Sequence, residues 1–173
     1  MNIDEKSDHI REVYAHFGLA VYLAQVLEHG LVNAMVYLDL FPSNGRKVRT
    51  PAEWAERVDS FMDGHFENTL GRMVKNLRTV TQVPDDLENL LSQSLKKRNW
   101  LVHEYFRVKA ADFMSASGRD LMIAELEQAQ GLFAAADRRL EAVVKPIREK
   151  YGHTDELLAL ELERMKEEAI RDG

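Results

Sequence analysis

The 173-residue chain is 45% hydrophobic and 30% charged, which fits a single soluble domain with a real core and excludes disordered and fibrous classes. Lys plus Arg number 23 against 29 Asp plus Glu, and the net charge of -6 argues against nucleic-acid or acidic-membrane binding by bulk field. The chain has no cysteine, which excludes disulfides, thiolate metal sites and cysteine nucleophiles.

No uninterrupted run approaches the roughly 20 apolar residues of a membrane span. The start, MNIDEKSDHIRE, is acidic and polar, unlike a signal or transit peptide. The expected address is the cytoplasm, without a membrane. The four prolines, at 42, 51, 84 and 146, are too widely spaced for a turn-punctuated β fold and favour helices.

A first helix is predicted from about Asp4 to Leu40, with Ile10, Val13, Phe17, Val21, Ala24, Leu31 and Met35 on one face. The stretch 41–50 reads as a loop, broken by Pro42, Asn44 and Gly45. Thr50, Pro51 and Glu53 form a capping box that starts a second helix, which should run to about Thr81 despite Gly64 and Gly71. Pro84, Asp85 and Asp86 open a third helix that carries Leu87, Leu91, Leu95, Leu101, Val102 and Tyr105 and fades near Ala110. Ser115, Ser117 and Gly118 break the chain before a fourth helix from Arg119 to Val144, which Pro146 kinks or ends. After Gly152, Thr154, Asp155 and Glu156 start a last, charge-dense helix. The fold class is therefore all-α: an antiparallel four-helix bundle core with an additional C-terminal helix, in one domain.

Metal and phosphate motifs are missing. No Glu has a His three residues on, as a di-iron bundle needs, and there is no His-Glu-x-x-His. The pairs Glu12/His16 and Asp63/His65 are isolated. Gly-rich phosphate loops and a Gly-x-Ser-x-Gly elbow are also absent, so neither metal nor cofactor is expected.

Residues 94–109, SLKKRNWLVHEYFRVK, differ from the rest. Lys96, Lys97, Arg98, Arg107 and Lys109 face only Glu104, so this segment is +4 and the remainder of the chain is -10. On a helical wheel Arg98 falls at the centre of the third helix's apolar stripe, and Glu28 falls at the centre of the first helix's stripe. A guanidinium there needs a partner or a ligand cavity. Two compatible readings follow: an Arg98–Glu28 ion pair that fixes register, or a Glu28 that orients Arg98 toward an anionic substrate. Asn99 and His103 are four apart and share a face, and Lys96 and Arg107 continue that polar line. A neutral imidazole can take the proton of a ribose 2′-hydroxyl while arginine holds the phosphate, with asparagine to position either.

Arg98-Asn99-Trp100-Leu101-Val102-His103 resembles the signature of the HEPN superfamily (higher eukaryotes and prokaryotes nucleotide-binding), an Arg, four to six residues and a His, often with Asn directly after the Arg. Arg11 to His16 and Arg148 to His153 share the spacing, but only Arg98 has the adjacent Asn. The resemblance implies a small helical bundle and a metal-independent ribonuclease. It further implies a homodimer whose motifs face one another, a toxin or antiviral role, and an antitoxin of nucleotidyltransferase type. By that likeness Arg98 and His103 would be catalytic and Asn99 would support them, while the local charge of +4 makes Lys96, Lys97, Arg107 and Lys109 the candidate RNA-binding residues. Family members without nuclease activity serve as nucleotide-binding or interaction modules, which is the alternative reading. A metal-dependent bundle enzyme ranks third. Leu157, Leu158 and Met165 give the last helix an amphipathic face for a partner, a second copy or its own bundle.

Overall fold

The computed structural model describes residues 3–44, 50–66 and 69–172, and no strand occurs among them. Helix α1, Ile3–Met35, passes without a break into a π-helical turn, Val36–Leu40, and then into a short α2, Phe41–Asn44. The predicted loop therefore begins later than expected. Pro42 lies in the first turn of α2, where a missing N–H is tolerated. Gly45 and the rest of the loop up to 49 lie outside the described residues.

The capping box is formed: Glu53 N–H donates to Thr50 Oγ1, and Thr50 N–H donates to Glu53 Oε2, both at 3.2 Å. It opens α3, Pro51–Phe66. The second helix expected to reach Thr81 is in fact two. Thr69 is extended, at φ -69° and ψ 153°, and its side chain accepts from Arg72 N–H to cap α4, Leu70–Val80.

Helix α5, Asp85–His103, starts at Pro84 as expected but ends before Ala110. Glu104 leaves helical geometry at φ -131° and ψ -22°, and the chain continues as single turns, α6 Tyr105–Val108 and α7 Ala110–Phe113. The break turns Tyr105 into the core, where its hydroxyl donates to Met122 O at 3.2 Å. Ser115 caps α8, Ala116–Lys150, by accepting from Gly118 N–H at 3.0 Å. Gly118 thus lies inside the first turn and not in a break. Its bare Cα is required: a Cβ there would stand 2.1 Å from Asp112 O. Pro146 lies within α8 without ending it, because the final turn is held by Arg148, which donates to Glu141 at 2.7 Å and to the His153 carbonyl. Helix α9, Asp155–Asp172, closes the chain.

The helices pack as a bundle, with α1 and α8 as its principal pair. His9 reaches Asp120, His16 meets Gln130 and Tyr37 meets His153, so these two helices run parallel. Helix α5 runs against both, as shown by Arg98–Glu28 and Phe17–Tyr105 on one side and Asp86–Arg139 and Lys109–Glu125 on the other. Four helices alternating in direction would set the first and last antiparallel. Here the break at Thr69 adds a helix between them, and α1 and α8 run parallel.

The core follows helical periodicity. In α8, Met122, Leu126, Ala129, Phe133, Ala136, Leu140 and Val144 are buried, and in α4 the set is Leu70, Met73, Val74 and Leu77. Each large side chain among them contributes roughly 1.5–3 kcal/mol by leaving water. In α1, Val13, Ala24, Leu31 and Met35 are buried as expected, joined by Ala20 and Leu27. An 18-residue window within Lys6–Ser43 reaches a mean hydropathy of 1.3, enough by length and composition to cross a membrane, a test that a buried core helix also passes. The reading of no span rested on uninterrupted apolar runs, whereas an averaged window accepts scattered charges. Helix α9 does not pack on the bundle along its length: every residue from 155 to 171 is exposed.

Candidate functional site

Helix α5 presents the motif. Its first turn is fixed by ion pairs, Asp86 to Arg139 of α8 and Glu88 to Arg78 of α4 at 2.7 Å, and the Arg139 guanidinium holds the Asp86 carboxyl below its ordinary value. Its last turn rests on an aromatic cluster. Trp100 meets Tyr105 edge-on at 4.9 Å, Tyr105 stacks on Phe17 at 5.7 Å, and Phe106 contacts both Phe17 and Tyr14. Four buried positions of α5, Leu87, Leu91, Ser94 and Leu101, set which face turns inward.

Arg98 lies on that inward side. Its Nε donates to Glu28 Oε1 at 3.1 Å, with the two side chains 29% and 19% exposed. A second donor reaches Asn99 Oδ1 at 3.4 Å. Asn99 and His103 are both exposed, and so is Lys96, and helical spacing places these three along one outward line. His103 lies five positions after Arg98, which at helical spacing turns their side chains about 140° apart. One chain therefore does not bring guanidinium and imidazole together, while it does align Asn99 with His103.

The basic residues divide into two sets. Lys96 is exposed, and Lys97 stands over the Trp100 ring at 4.6 Å. Arg107 is exposed and weakly paired with Glu104 at 3.4 Å. Lys109 is engaged by Glu125 at 2.9 Å and Asp112 at 3.6 Å, and the Glu125 bond, more than any other influence, raises its ordinary pKa. Two carboxylates satisfy Lys109, so it adds little positive field to the outward line. Among the described residues, no three His, Asp or Glu are grouped to hold a metal.

The other two Arg-x4-His spacings have structural uses. His16 meets Gln130, and Arg11 pairs with Asp8 at 2.9 Å. Arg148, only 4% exposed, binds the backbone carbonyl of His153 and the carboxylates of Glu141 and Asp155. That cluster borders a feature the motifs do not mark. A cavity of about 750 Å³ opens between α1, α3 and α8, lined among others by Gly30, Tyr37, Phe41, Trp54, Asp137 and Glu141. Its one sequence signal is Gly30, a helix-weakening residue in the middle of α1, where a Cβ would stand 2.8 Å from Asp137 Oδ1.

Comparison with family models, with curated proteins and with solved structures gives no match to this chain.

Proposed function

We propose that this chain is a HEPN-like endoribonuclease that acts without metal, as a homodimer, with α5 of each copy facing the other across the RNA. The observation that supports this reading is the outward line of Lys96, Asn99 and His103 on α5, beside an Arg98 whose guanidinium is held by Glu28 and is still 29% exposed. In one copy Arg98 and His103 diverge, so a second copy supplies the complementary group of each pair. His103 takes the proton of a ribose 2′-hydroxyl, and the freed oxygen attacks the adjacent phosphorus. The P–O5′ bond breaks, the 5′ oxygen leaves as a hydroxyl on taking the proton back from the imidazolium, and a 2′,3′-cyclic phosphate remains, which water opens to a 3′ phosphate. Arg98 offsets charge on the phosphoryl oxygens and Asn99 positions the phosphate. A toxin or defence role, a cytoplasmic setting and an antitoxin of nucleotidyltransferase type belong to the same proposal.

The test is cleavage of single-stranded RNA in EDTA by the purified protein and by its Arg98→Ala and His103→Ala variants. Cleavage that both substitutions abolish supports the proposal. Equal cleavage by both variants overturns it.

A second reading has its own support in the engagement of Arg98 by Glu28 and of Lys109 by Glu125. Cations already paired suit a non-catalytic module that binds a nucleotide or a protein partner. Protein that folds, co-purifies with a nucleotide and leaves RNA intact favours this module.

A further inference from the structure

The cavity beside α1 lies on a different face of that helix from Glu28, and its chemistry is unlike that of the motif. The wall carries rings. The Tyr37 and Phe41 rings stack at 5.3 Å, and Phe41 meets Trp54 edge-on at 4.7 Å. The π-helical turn at Val36–Leu40 produces this wall. Phe41 N–H donates to Val36 O across a widened turn, which changes the phase of the helix just where Tyr37 and Phe41 reach the cavity. Such turns cost regular hydrogen bonding and are frequent at functional sites.

Opposite the rings, α8 presents carboxylates one turn apart, Asp137 and Glu141. Glu141 is answered by Arg148 at 2.7 Å, and Arg148 also serves Asp155 at 2.6 Å. One guanidinium thus meets two carboxylates and is spent before it reaches Asp137. Arg138 is exposed, and Arg139 is committed to Asp86. Among the described residues no hydrogen bond or ion pair engages Asp137. Its Oδ1 lies against the bare backbone of Gly30, so the carboxylate is lodged in the crevice between α1 and α8. Burial, then the charge on Glu141, raise the Asp137 carboxyl above its ordinary value, against a smaller lowering by Arg138. A half-buried carboxylate to which no described residue brings a cation gains from any ligand that supplies one.

We infer that this cavity binds a small organic cation, with an amine or amidinium head on Asp137 and an apolar body against Phe41 and Trp54. A cavity of about 750 Å³ suits a ligand of metabolite size, and a cation beside ring faces gains further attraction. The site stands independently of the ribonuclease reading, because it shares none of the motif residues.

The test uses the full chain carrying Trp100→Phe, which leaves Trp54 as the sole tryptophan reporter. Benzamidine and its neutral counterpart benzamide are titrated against Trp54 fluorescence, followed by phenethylamine and agmatine. Benzamidine or one of the two amines is expected to bind, with benzamide at least about tenfold weaker than benzamidine if that is the ligand. Asp137→Asn, close to isosteric, is expected to weaken the bound cation at least about tenfold. Gly30→Ala, which displaces the carboxylate, should act in the same direction if Asp137→Asn does not fold. Failure of all three cations to bind, benzamide binding as tightly as benzamidine, or an unchanged affinity in the folded variants overturns the inference.

Discussion

The Arg98 Nε donates to Glu28 Oε1 at 3.1 Å and so joins positions 70 residues apart, α5 to α1, at the level of the motif. Removing Glu28 leaves the guanidinium on the inward face of α5 with only its long contact to Asn99 Oδ1 at 3.4 Å. Glu28→Ala is expected to destabilise the fold by about 1–2 kcal/mol, and a double-mutant cycle with Arg98→Ala to give a coupling of about 1 kcal/mol, since both groups keep some water. Urea unfolding of the four proteins measures it. A coupling of zero would mean that the pair does not set the register of these helices.

Two glycines in α8 should respond oppositely to alanine. At Gly118 the new methyl would meet Asp112 O at 2.1 Å, a backbone atom that cannot step aside, whereas at Gly131 nothing lies within 4 Å. Gly118→Ala should cost about 1–3 kcal/mol, and Gly131→Ala should stabilise by up to about 1 kcal/mol through helix propensity. Thermal melts of the pair decide it: a stabilising Gly118→Ala would contradict the tight corner between α7 and α8.

Tyr105 is buried, and its hydroxyl donates to Met122 O. Burial, more than the nearby Glu125 and Asp112, pushes its pKa far above the ordinary tyrosine value. In an alkaline ultraviolet titration Tyr105 should therefore be the last tyrosine to ionise, and only as the fold opens. Tyr105→Phe should remove that late phase and cost about 1 kcal/mol, by leaving the Met122 carbonyl without this donor.

Asp155 holds the start of α9 to α8 through Lys145 and Arg148. The Lys145 bond first, then that of Arg148, lowers its pKa below the ordinary carboxylate value. A lowered folded-state pKa means that the tether is fully present at neutral pH and is lost as pH falls through that lowered value. The protection factor of the Leu158 N–H, which donates to Thr154 O, corrected for the intrinsic slowing of exchange in acid, should therefore begin to drop below about pH 4, the ordinary carboxylate range, and be lost through the lowered value. In Asp155→Asn it should already be low at pH 7. Protection that persists in the variant would place the tether elsewhere.

The helical class, the Thr50–Glu53 cap and the inward position of Arg98 were legible because each follows from a local period or a short-range signal. The break at Thr69 was not. A threonine without an acidic or amide residue three positions on is a weak start signal, and the apolar spacing of α4 continues plausibly from α3. Of the two readings of Pro146, a kink or an end, the structure excludes the end, since α8 continues to Lys150 and Arg148 ties its last turn to Glu141 and Asp155. The motif's residues could be found by type and spacing, yet which of them share a face depended on α5 remaining helical to His103. The Asp137 cavity left almost no trace in the sequence, because it is assembled from three helices and a π turn that shifts the phase of two rings.

The parallel pairing of α1 with α8 has a consequence for the ribosome. Contacts such as His16–Gln130 and Tyr37–His153 span 114 and 116 positions, so α1 is made long before its main partner, α8. At ordinary elongation rates the delay is on the order of ten seconds. Throughout that interval the nascent chain displays the apolar face of α1, with Ala20, Ala24, Leu27 and Leu31, without the helix that covers it. That interval is thus when the protein most resembles a client of holdase chaperones, and the arrival of α8 is the event that withdraws it from them.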